Sequence, residues 1–184
     1  MFERFTVAAR DVVKGAVEVA GEVRAPQVDT GHLLVALARD TGLTGGALRA
    51  AGVTAERLLP DLAVPGAPAG FDPAALSALG IDYAEVRRAV DGEFGAGALD
   101  RALDQGRSRS RRGHVPFAPE GRRALERSLR EALALRDRHI GSEHVLLGVL
   151  ADPAFLAVRL LARYETDVPA LRRAVLDGRD RRAG

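Results

Sequence analysis

The sequence predicts an all-α protein made of two pseudo-symmetric four-helix repeats with a helical insert between them. Two observations lead to this prediction. Apolar residues recur at the three- and four-residue spacing of amphipathic helices, and one order of motifs occurs twice along the chain. Because 47% of the 184 residues are hydrophobic, the chain has enough apolar side chains for a packed core.

The first repeat is predicted to span residues 1–64 and to begin with a long amphipathic helix after Phe5. Apolar or small residues mark one face of that helix, namely Ala8, Ala9, Val12, Val13, Ala16, Val19, Ala20 and Val23. Pro26 ends it, since proline lacks an N–H group. Thr30 is the predicted N-cap of a short, mostly buried second helix. A Gly-rich turn leads to a third helix, and Gly52 separates that helix from a fourth.

The same order of features returns from Phe117 onwards. Through the first two helices the matched positions keep one offset of 112 without gaps: Phe5 with Phe117, Arg10 with Arg122, Ala20 with Ala132, Thr30 with Ser142 and His32 with His144. The third and fourth helices recur with a one-residue shift. The sequence therefore predicts a second, homologous repeat over residues 113–176.

Residues 65–112 separate the two repeats and begin with a linker rich in proline, glycine and alanine. Within this insert a short helix is predicted first, and Asp82 then caps a predicted helix over residues 83–94. Residues 106–113, GRSRSRRG, are polar and cationic without apolar periodicity, which predicts a solvated loop. Residues 177–184 are predicted to be a charged tail of the same kind.

Composition excludes several classes of protein. The chain has no cysteine, so disulfides, thiolate metal sites and a cysteine nucleophile are excluded. The 27 basic and 25 acidic residues balance to a formal net charge of +2, which does not require a nucleic-acid partner. No apolar stretch has the length of a membrane span. We expect a cytoplasmic protein without a membrane partner.

Three stretches carry a resemblance to a known family: the opening Met1-Phe2-Glu3-Arg4-Phe5-Thr6, then Gly113-His114-Val115-Pro116-Phe117, and Ile140-Gly141-Ser142-Glu143-His144-Val145-Leu146-Leu147-Gly148. The chain resembles the double-repeat N-terminal domain of ClpC-type unfoldases, in an actinobacterial stand-alone form, over residues 1–64 and 113–176. The resemblance implies a helical pseudo-dimer that binds unfolded substrates, tagged proteins or adaptors. The sequence contains no Walker-type phosphate loop, so we expect no ATPase activity and no cofactor.

The resemblance also implies a phosphoarginine site. In the family a glutamate pairs with the guanidinium group, and a threonine and a basic residue on the first helix hold the phosphate. The first repeat has Thr6 but Gly31 at the glutamate position, and the second has Glu143 and Arg122 but Ala118 at the threonine position. Repeat by repeat, this predicts a disabled first pocket and a weakened second one. The alternative role for Glu143 is a favourable charge in a helix's first turn.

A second surface matches actinobacterial relatives that receive hydrophobic cyclic peptides where the two first helices meet. Phe2 and Phe117 match the aromatic residues of that surface. The candidate ligand-binding set is Phe2, Arg10, Val13, Lys14, His114, Pro116, Phe117, Arg122 and Glu126. Apolar contacts rimmed by charges are typical of peptide-binding surfaces. The alternative is that the two phenylalanines are core residues.

Metal and catalytic sites are not expected. The repeated His32 and His144 each follow a hydroxyl residue near a helix start, which favours structural hydrogen bonding. His139 and His144 lack the i, i+4 spacing of a zinc-binding helix. Ser142, Glu143 and His144 are adjacent on one helix, so their side chains diverge and cannot form a catalytic relay.

These observations predict a non-enzymatic protein that binds peptides, adaptors or hydrophobic cyclic peptides at the junction of the repeats and sequesters ligands from a ClpC unfoldase. The alternative is an accessory of the Clp protease that delivers substrate or phosphoarginine-marked proteins, with the insert as its distinguishing contact. A third hypothesis is a nucleic-acid-binding regulator that uses Arg107, Arg109, Arg111 and Arg112. No aromatic residue lies among these arginines, which disfavours it.

Overall fold

The computed structural model describes residues 4–62, 83–97 and 115–183, and the regular secondary structure of these ranges is helical. The first repeat contains α1 (Val7–Glu22), α2 (Thr30–Arg39), α3 (Leu43–Ala50) and α4 (Ala55–Leu62). The insert contains α5 (Tyr83–Phe94). The second repeat contains α6 (Pro119–Ala134), α7 (Ser142–Val149), α8 (Leu156–Arg163) and α9 (Val168–Ala183). The predicted all-α class, with two four-helix repeats and a helical insert, is confirmed.

Backbone geometry repeats with the register that the sequence predicts. α1 and α6 begin 112 positions apart, and so do α2 and α7, whereas α3 and α8, and α4 and α9, begin 113 apart. Left-handed residues repeat in the same way: Arg24 (φ 57°) and Arg136 (φ 60°) follow the first helices, and Gly52 (φ 73°) and Glu165 (φ 55°) follow the third. The one-residue shift therefore lies between the second and third helices of each repeat.

Helix starts depend on local capping. The Thr6 hydroxyl accepts a hydrogen bond from the Ala9 N–H (3.2 Å) and begins α1. The predicted cap of α2 at Thr30 is wrong by one residue, because Asp29 is the N-cap and its Oδ1 accepts from the Gly31 and His32 N–H groups. The Thr30 hydroxyl donates instead to Glu120.

The second helices form the centre of the repeat unit. α2 and α7 are almost entirely buried, and they pack against each other as well as against α1 and α6. One continuous hydrophobic core runs through both repeats. Residues 1–64 and 115–184 accordingly form one compact unit, and residues 65–114 form a second, of which α5 is the described helix.

Two short backbone pairings tie each repeat to the other. Phe5 forms a parallel β-bridge with Ile140, and Phe117 forms the equivalent bridge with Val28. Four hydrogen bonds make these pairings: Thr6 N–H to Ile140 O (3.0 Å), Ile140 N–H to Arg4 O (2.8 Å), Ala118 N–H to Val28 O (2.8 Å) and Val28 N–H to Pro116 O (2.8 Å). The start of each first helix is therefore held beside the second helix of the other repeat.

The residues predicted to form a solvated charged tail are largely helical. α9 continues through Ala183, and Gly178 is buried against Leu43 of the first repeat. A Cβ at 178 would overlap the end of the Leu43 side chain, so the glycine lets α9 approach α3 closely at this point. The segment 177–183 is therefore helical rather than a loop, with Gly178 buried and Asp177, Asp180 and Arg181 exposed.

The predicted helix over 83–94 is present as α5. The other predictions for the insert, the short first helix and the GRSRSRRG loop, lie outside the described residues. Among the helices of the described ranges, none combines the length and apolar character needed to cross a bilayer.

Candidate functional site

A pocket of about 340 Å³ lies where the two repeats meet. It is lined by residues from both, including Thr6 and Leu43 from the first repeat and Asp137, Glu143, His144 and Arg179 from the second. Its volume falls within the range of about 300–1,000 Å³ that is usual for small-ligand sites. We call it the Glu143 pocket.

The β-bridge between Phe5 and Ile140 brings Thr6 to this pocket. Thr6 follows the bridge directly, and its N–H donates to the carbonyl of Ile140, three residues before Glu143. The pairing of these two positions therefore crosses from one repeat to the other. The threonine of the first repeat and the glutamate of the second face one pocket, so neither of these two positions is lost there.

The Glu143 carboxylate folds back over Gly141, the N-cap of α7. A Cβ on residue 141 would overlap that carboxylate in its present position, so the glycine leaves room for it. The side chain of Glu143 is 25% exposed. Among the described residues, the only ion-pair contact of this carboxylate is with His144.

The hydrogen bonds of His144 show that this contact does not neutralise Glu143. The Nδ1 atom of His144 accepts the Gly141 N–H (2.9 Å), which places the ring proton on Nε2. The Nε2 atom lies 2.9 Å from Asp137 Oδ2 and donates to it. Glu143 Oε1 lies 3.3 Å from Nδ1 and so faces a nitrogen without a hydrogen. Glu143 therefore keeps its charge available to a ligand.

Asp137, by contrast, is paired with Arg179 of α9. The guanidinium donates through Nε to Oδ2 (2.9 Å) and through Nη2 to Oδ1 (2.7 Å), which is a bidentate pair. Hydrogen bonding to Arg179 is the main reason that the pKa of the Asp137 carboxyl lies below its ordinary value. The same bond raises the pKa of Arg179. Of the two carboxylates in the pocket, one is thus neutralised and one is not.

Arg179 is not among the residues predicted from the sequence, because its segment reads as a polar tail. A helical signal was nevertheless present, since Leu171, Val175 and Gly178 follow one another at four- and three-residue spacing, and the structure buries all three. The surrounding charged residues hid this pattern. Arg138 was also missed, although it lines the same pocket.

The pseudo-equivalent position in α2 is closed. Glu120 reaches across from α6, and its Oε1 accepts hydrogen bonds from the Thr30 N–H (3.2 Å) and hydroxyl (2.7 Å). A Cβ on Gly31 would press on Leu62 and Leu156, so these leucines already fill the space where a side chain would begin. This location has neither a glutamate at 31 nor a hydroxyl at 118.

Arg122, the third residue of the predicted phosphoarginine set, does not line the Glu143 pocket. Its Nη1 donates to the carbonyl of Phe117 (2.9 Å) at the start of α6. The equivalent residue of the first repeat is Arg10, which is exposed on α1 one turn after Thr6. Arg10 therefore holds, in the repeat that carries Thr6, the first-helix position that Arg122 holds in the second repeat.

The candidate cyclic-peptide surface is described in part, because Phe2 and His114 lie outside the described residues. The exposed members of the set are Arg10, Lys14, Pro116, Arg122 and Glu126. Phe117 is half-buried and packs against the core. Val13 lies in the hydrophobic core at 8% exposure, so its expected place on this surface is corrected.

The repeated histidines have structural roles. His32 and His144 are buried, and the Nδ1 of each accepts the backbone N–H of the residue that caps its helix, Asp29 (3.1 Å) and Gly141 (2.9 Å) respectively. Across the described ranges, no three of the His, Asp and Glu side chains are placed to share a metal ion. The Ser142 hydroxyl lies 3.5 Å from Asp40, on the other repeat.

The fold and its repeats define the family of this chain. Residues 4–67 and 62–164 match the Clp repeat (R) N-terminal domain, and the chain belongs to that family. Among its curated relatives, chloroplastic chaperone protein ClpC1 of Arabidopsis thaliana is 30% identical over 176 residues. The ATP-dependent Clp protease ATP-binding subunit ClpA homolog of Cyanidium caldarium is 27% identical over 177 residues. These matches cover 96% of this chain but only 15% and 16% of the relatives.

Solved structures show the same fold. The N-terminal domain of the caseinolytic protease associated chaperone ClpD from Arabidopsis thaliana aligns with a TM-score of 0.61 and 21% identity, covering 96% of this chain and 98% of that one. The Hsp104 N-terminal domain from Candida albicans aligns with a TM-score of 0.62 and 13% identity, covering 95% and 91%. The family resemblance predicted from the motifs is confirmed.

Proposed function

We propose that the chain is a non-enzymatic receptor of the Clp system that binds arginine-phosphorylated proteins in the Glu143 pocket. The observation that carries this proposal is that Thr6 and Glu143, which come from different repeats, line one pocket. The two groups that the family uses for the phosphate and for the guanidinium are therefore both available to a single ligand.

The chemistry of the pocket suits a ligand with a cationic and an anionic end. The Glu143 carboxylate has no donor from His144 and can pair with a planar guanidinium group. The Thr6 hydroxyl accepts the Ala9 N–H, and its own proton remains to be donated to a phosphate oxygen. The N-terminus of α1 and the Arg138 side chain add positive potential on this side.

The relatives support a partner in the Clp machinery. Their names describe a chaperone and an ATP-binding subunit of an ATP-dependent Clp protease, and the chain aligns with a small part of each. We infer a cytoplasmic protein that captures marked proteins and acts as an accessory to a Clp unfoldase. Delivery to the unfoldase and sequestration away from it both use this same binding step.

The first test is isothermal titration of the protein with free phosphoarginine, in wild type and in Glu143→Gln. The amide keeps the size of the side chain but cannot pair with a cation, so we expect affinity to fall about tenfold to a hundredfold. One ligand per chain is expected because the equivalent position at Gly31 is closed.

Glu126→Gln is the matched control, because Glu126 is exposed on α6 and does not line the pocket. It should bind phosphoarginine like the wild type. Absence of binding to wild-type protein would refute the proposed function, and equal affinities of wild type and Glu143→Gln would remove the pocket from it.

A second candidate function is the capture of a hydrophobic peptide or cyclic peptide at the candidate cyclic-peptide surface around Phe117. The supporting observation is that the half-buried Phe117 lies next to the exposed Pro116, which leaves apolar area for a ligand. If this surface binds such a ligand, Phe117→Ala should weaken the binding of a hydrophobic cyclic peptide by about 1–3 kcal/mol, whereas Glu143→Gln should leave that binding unchanged. Titration of both variants, with thermal melts as a folding control, separates the two functions. A large drop in melting temperature for Phe117→Ala would assign Phe117 to the core instead.

A further inference from the structure

The C-terminal part of α9 forms a wall of the Glu143 pocket. Gly178 packs on Leu43 of α3, and the next residue, Arg179, bonds to Asp137 in the turn between α6 and α7. Leu43, Asp137 and Arg179 all line the pocket. The helix end therefore joins the two repeats at the place where the ligand is proposed to bind.

The guanidinium of Arg179 is already largely committed to the protein. Its Nε and Nη2 groups donate to the two oxygens of Asp137, Nη2 also lies 3.3 Å from the carbonyl of Leu135, and Nη1 donates to Asp180 (2.6 Å). One of its five N–H groups has no partner among these. Arg179 therefore influences the pocket by pairing with Asp137 rather than by binding a ligand directly.

Asp137 and Glu143 stand on the two sides of the His144 ring, one at Nε2 and one at Nδ1. Without Arg179 the pocket would present two unneutralised carboxylates against the single cation of Arg138. Such a pocket favours any guanidinium group and repels phosphate. With Arg179 in place, Asp137 is neutralised and Glu143 is the one carboxylate left for the ligand.

We propose that Arg179 is a positioning residue that makes the Glu143 pocket select phosphorylated over unmodified arginine, by neutralising Asp137. This inference rests on the proposed function, because it concerns the selectivity of the same pocket. It adds a residue of α9 to the determinants of binding.

The test is the ratio of two dissociation constants, for arginine and for phosphoarginine, measured by titration at low salt. In Arg179→Gln the charge of Asp137 is no longer neutralised, so phosphoarginine should bind more weakly and arginine more tightly. The dissociation constant for arginine divided by that for phosphoarginine should therefore fall about tenfold. Removing the second charge as well, in Arg179→Gln with Asp137→Asn, should return the ratio to near the wild-type value. A merely structural role for Arg179 would not be rescued in this way.

Arg172→Gln is the matched control. Arg172 lies on the same helix and forms a similar ion pair with Glu131 (2.7 Å), but neither residue lines the pocket. Its ratio should equal that of the wild type.

An unchanged ratio in Arg179→Gln, with wild-type phosphoarginine binding intact, would overturn this inference and leave the proposed function standing. An equal fall in Arg172→Gln would overturn it too. Failure of the wild type to bind phosphoarginine would overturn both.

Discussion

At the scale of single residues, the two repeats differ most in how they satisfy equivalent polar groups. His144 has partners for both ring nitrogens, Gly141 and Asp137. His32 holds the same place in α2, but its buried Nε2 has no hydrogen-bond partner among the residues that the structure describes. The residue equivalent to Asp137 is Ala25, and both have a backbone N–H that bonds to the carbonyl five residues earlier. The first repeat therefore lacks one carboxylate that the second repeat uses.

Replacing Ala25 with aspartate should supply that partner. The backbone there already matches that of Asp137, since Arg24 and Arg136, which precede them, both have a positive φ. We expect Ala25→Asp to raise the free energy of unfolding by about 0.5–1.5 kcal/mol, because a buried donor gains an acceptor. Urea denaturation measures the change. Ala25→Ser, whose shorter side chain does not carry a carboxylate, is the control, and an equal or greater gain in that variant would contradict the explanation.

At the scale of elements, α9 shows how a charged sequence can be part of a core. Its buried residues, Leu171, Val175 and Gly178, form a narrow stripe between charged ones. Two arginines of the same helix form ion pairs with other segments: Arg172 pairs with Glu131 on α6, and Arg179 pairs with Asp137. Ion pairs therefore add to the packing of this narrow apolar stripe in placing the helix.

The placement of α9 should weaken in acid. The pKa of Asp137 is lowered in the folded protein, so its contribution to stability is complete above the ordinary value of 3.8 and is lost as the pH falls below it. Wild type should exceed Arg179→Gln in unfolding free energy by about 0.5–1 kcal/mol at pH 7, since the pair is partly exposed. This difference should shrink as the pH falls below the ordinary carboxyl value of 3.8, and denaturation curves at several pH values would detect it. A difference that stays constant with pH would show that Asp137 is not the partner that matters.

At the scale of the whole molecule, pseudo-twofold symmetry places each first helix beside the second helix of the other repeat. A site built at these paired helix starts therefore mixes residues of the two repeats. Because the repeats have diverged in sequence, the two pseudo-equivalent locations carry different residues. Thr6 and Glu143 lie together at one location, and Ala118 and Gly31 are the corresponding residues of the other. Assigned repeat by repeat, these four positions predicted one disabled and one weakened pocket, whereas in the structure Thr6 and Glu143 share a pocket.

The closed location also contributes to folding. Glu120 caps the start of α2 from the other repeat, and the Thr30 hydroxyl accepts the N–H of Ala157 (3.1 Å) on α8. Polar groups that would otherwise be left for a ligand are used here to join the repeats. Within the described residues, the two-fold framework is kept, while the location at Gly31 is filled by Leu62, Leu156 and Glu120.

The sequence alone determined the all-α class, the two repeats and their register, because helix periodicity and a repeated order of motifs are local properties of the chain. It also identified Thr6 and Glu143 as candidate site residues. Only the tertiary structure decided that these two belong to one pocket, since their meeting depends on a backbone pairing between residues 135 positions apart, Phe5 and Ile140. The same holds for Arg179, whose pairing with Asp137 requires α9 to pack across both repeats. Contacts between residues so far apart in sequence leave no periodic pattern along the chain. The charged composition around residue 179 instead predicted a solvated tail.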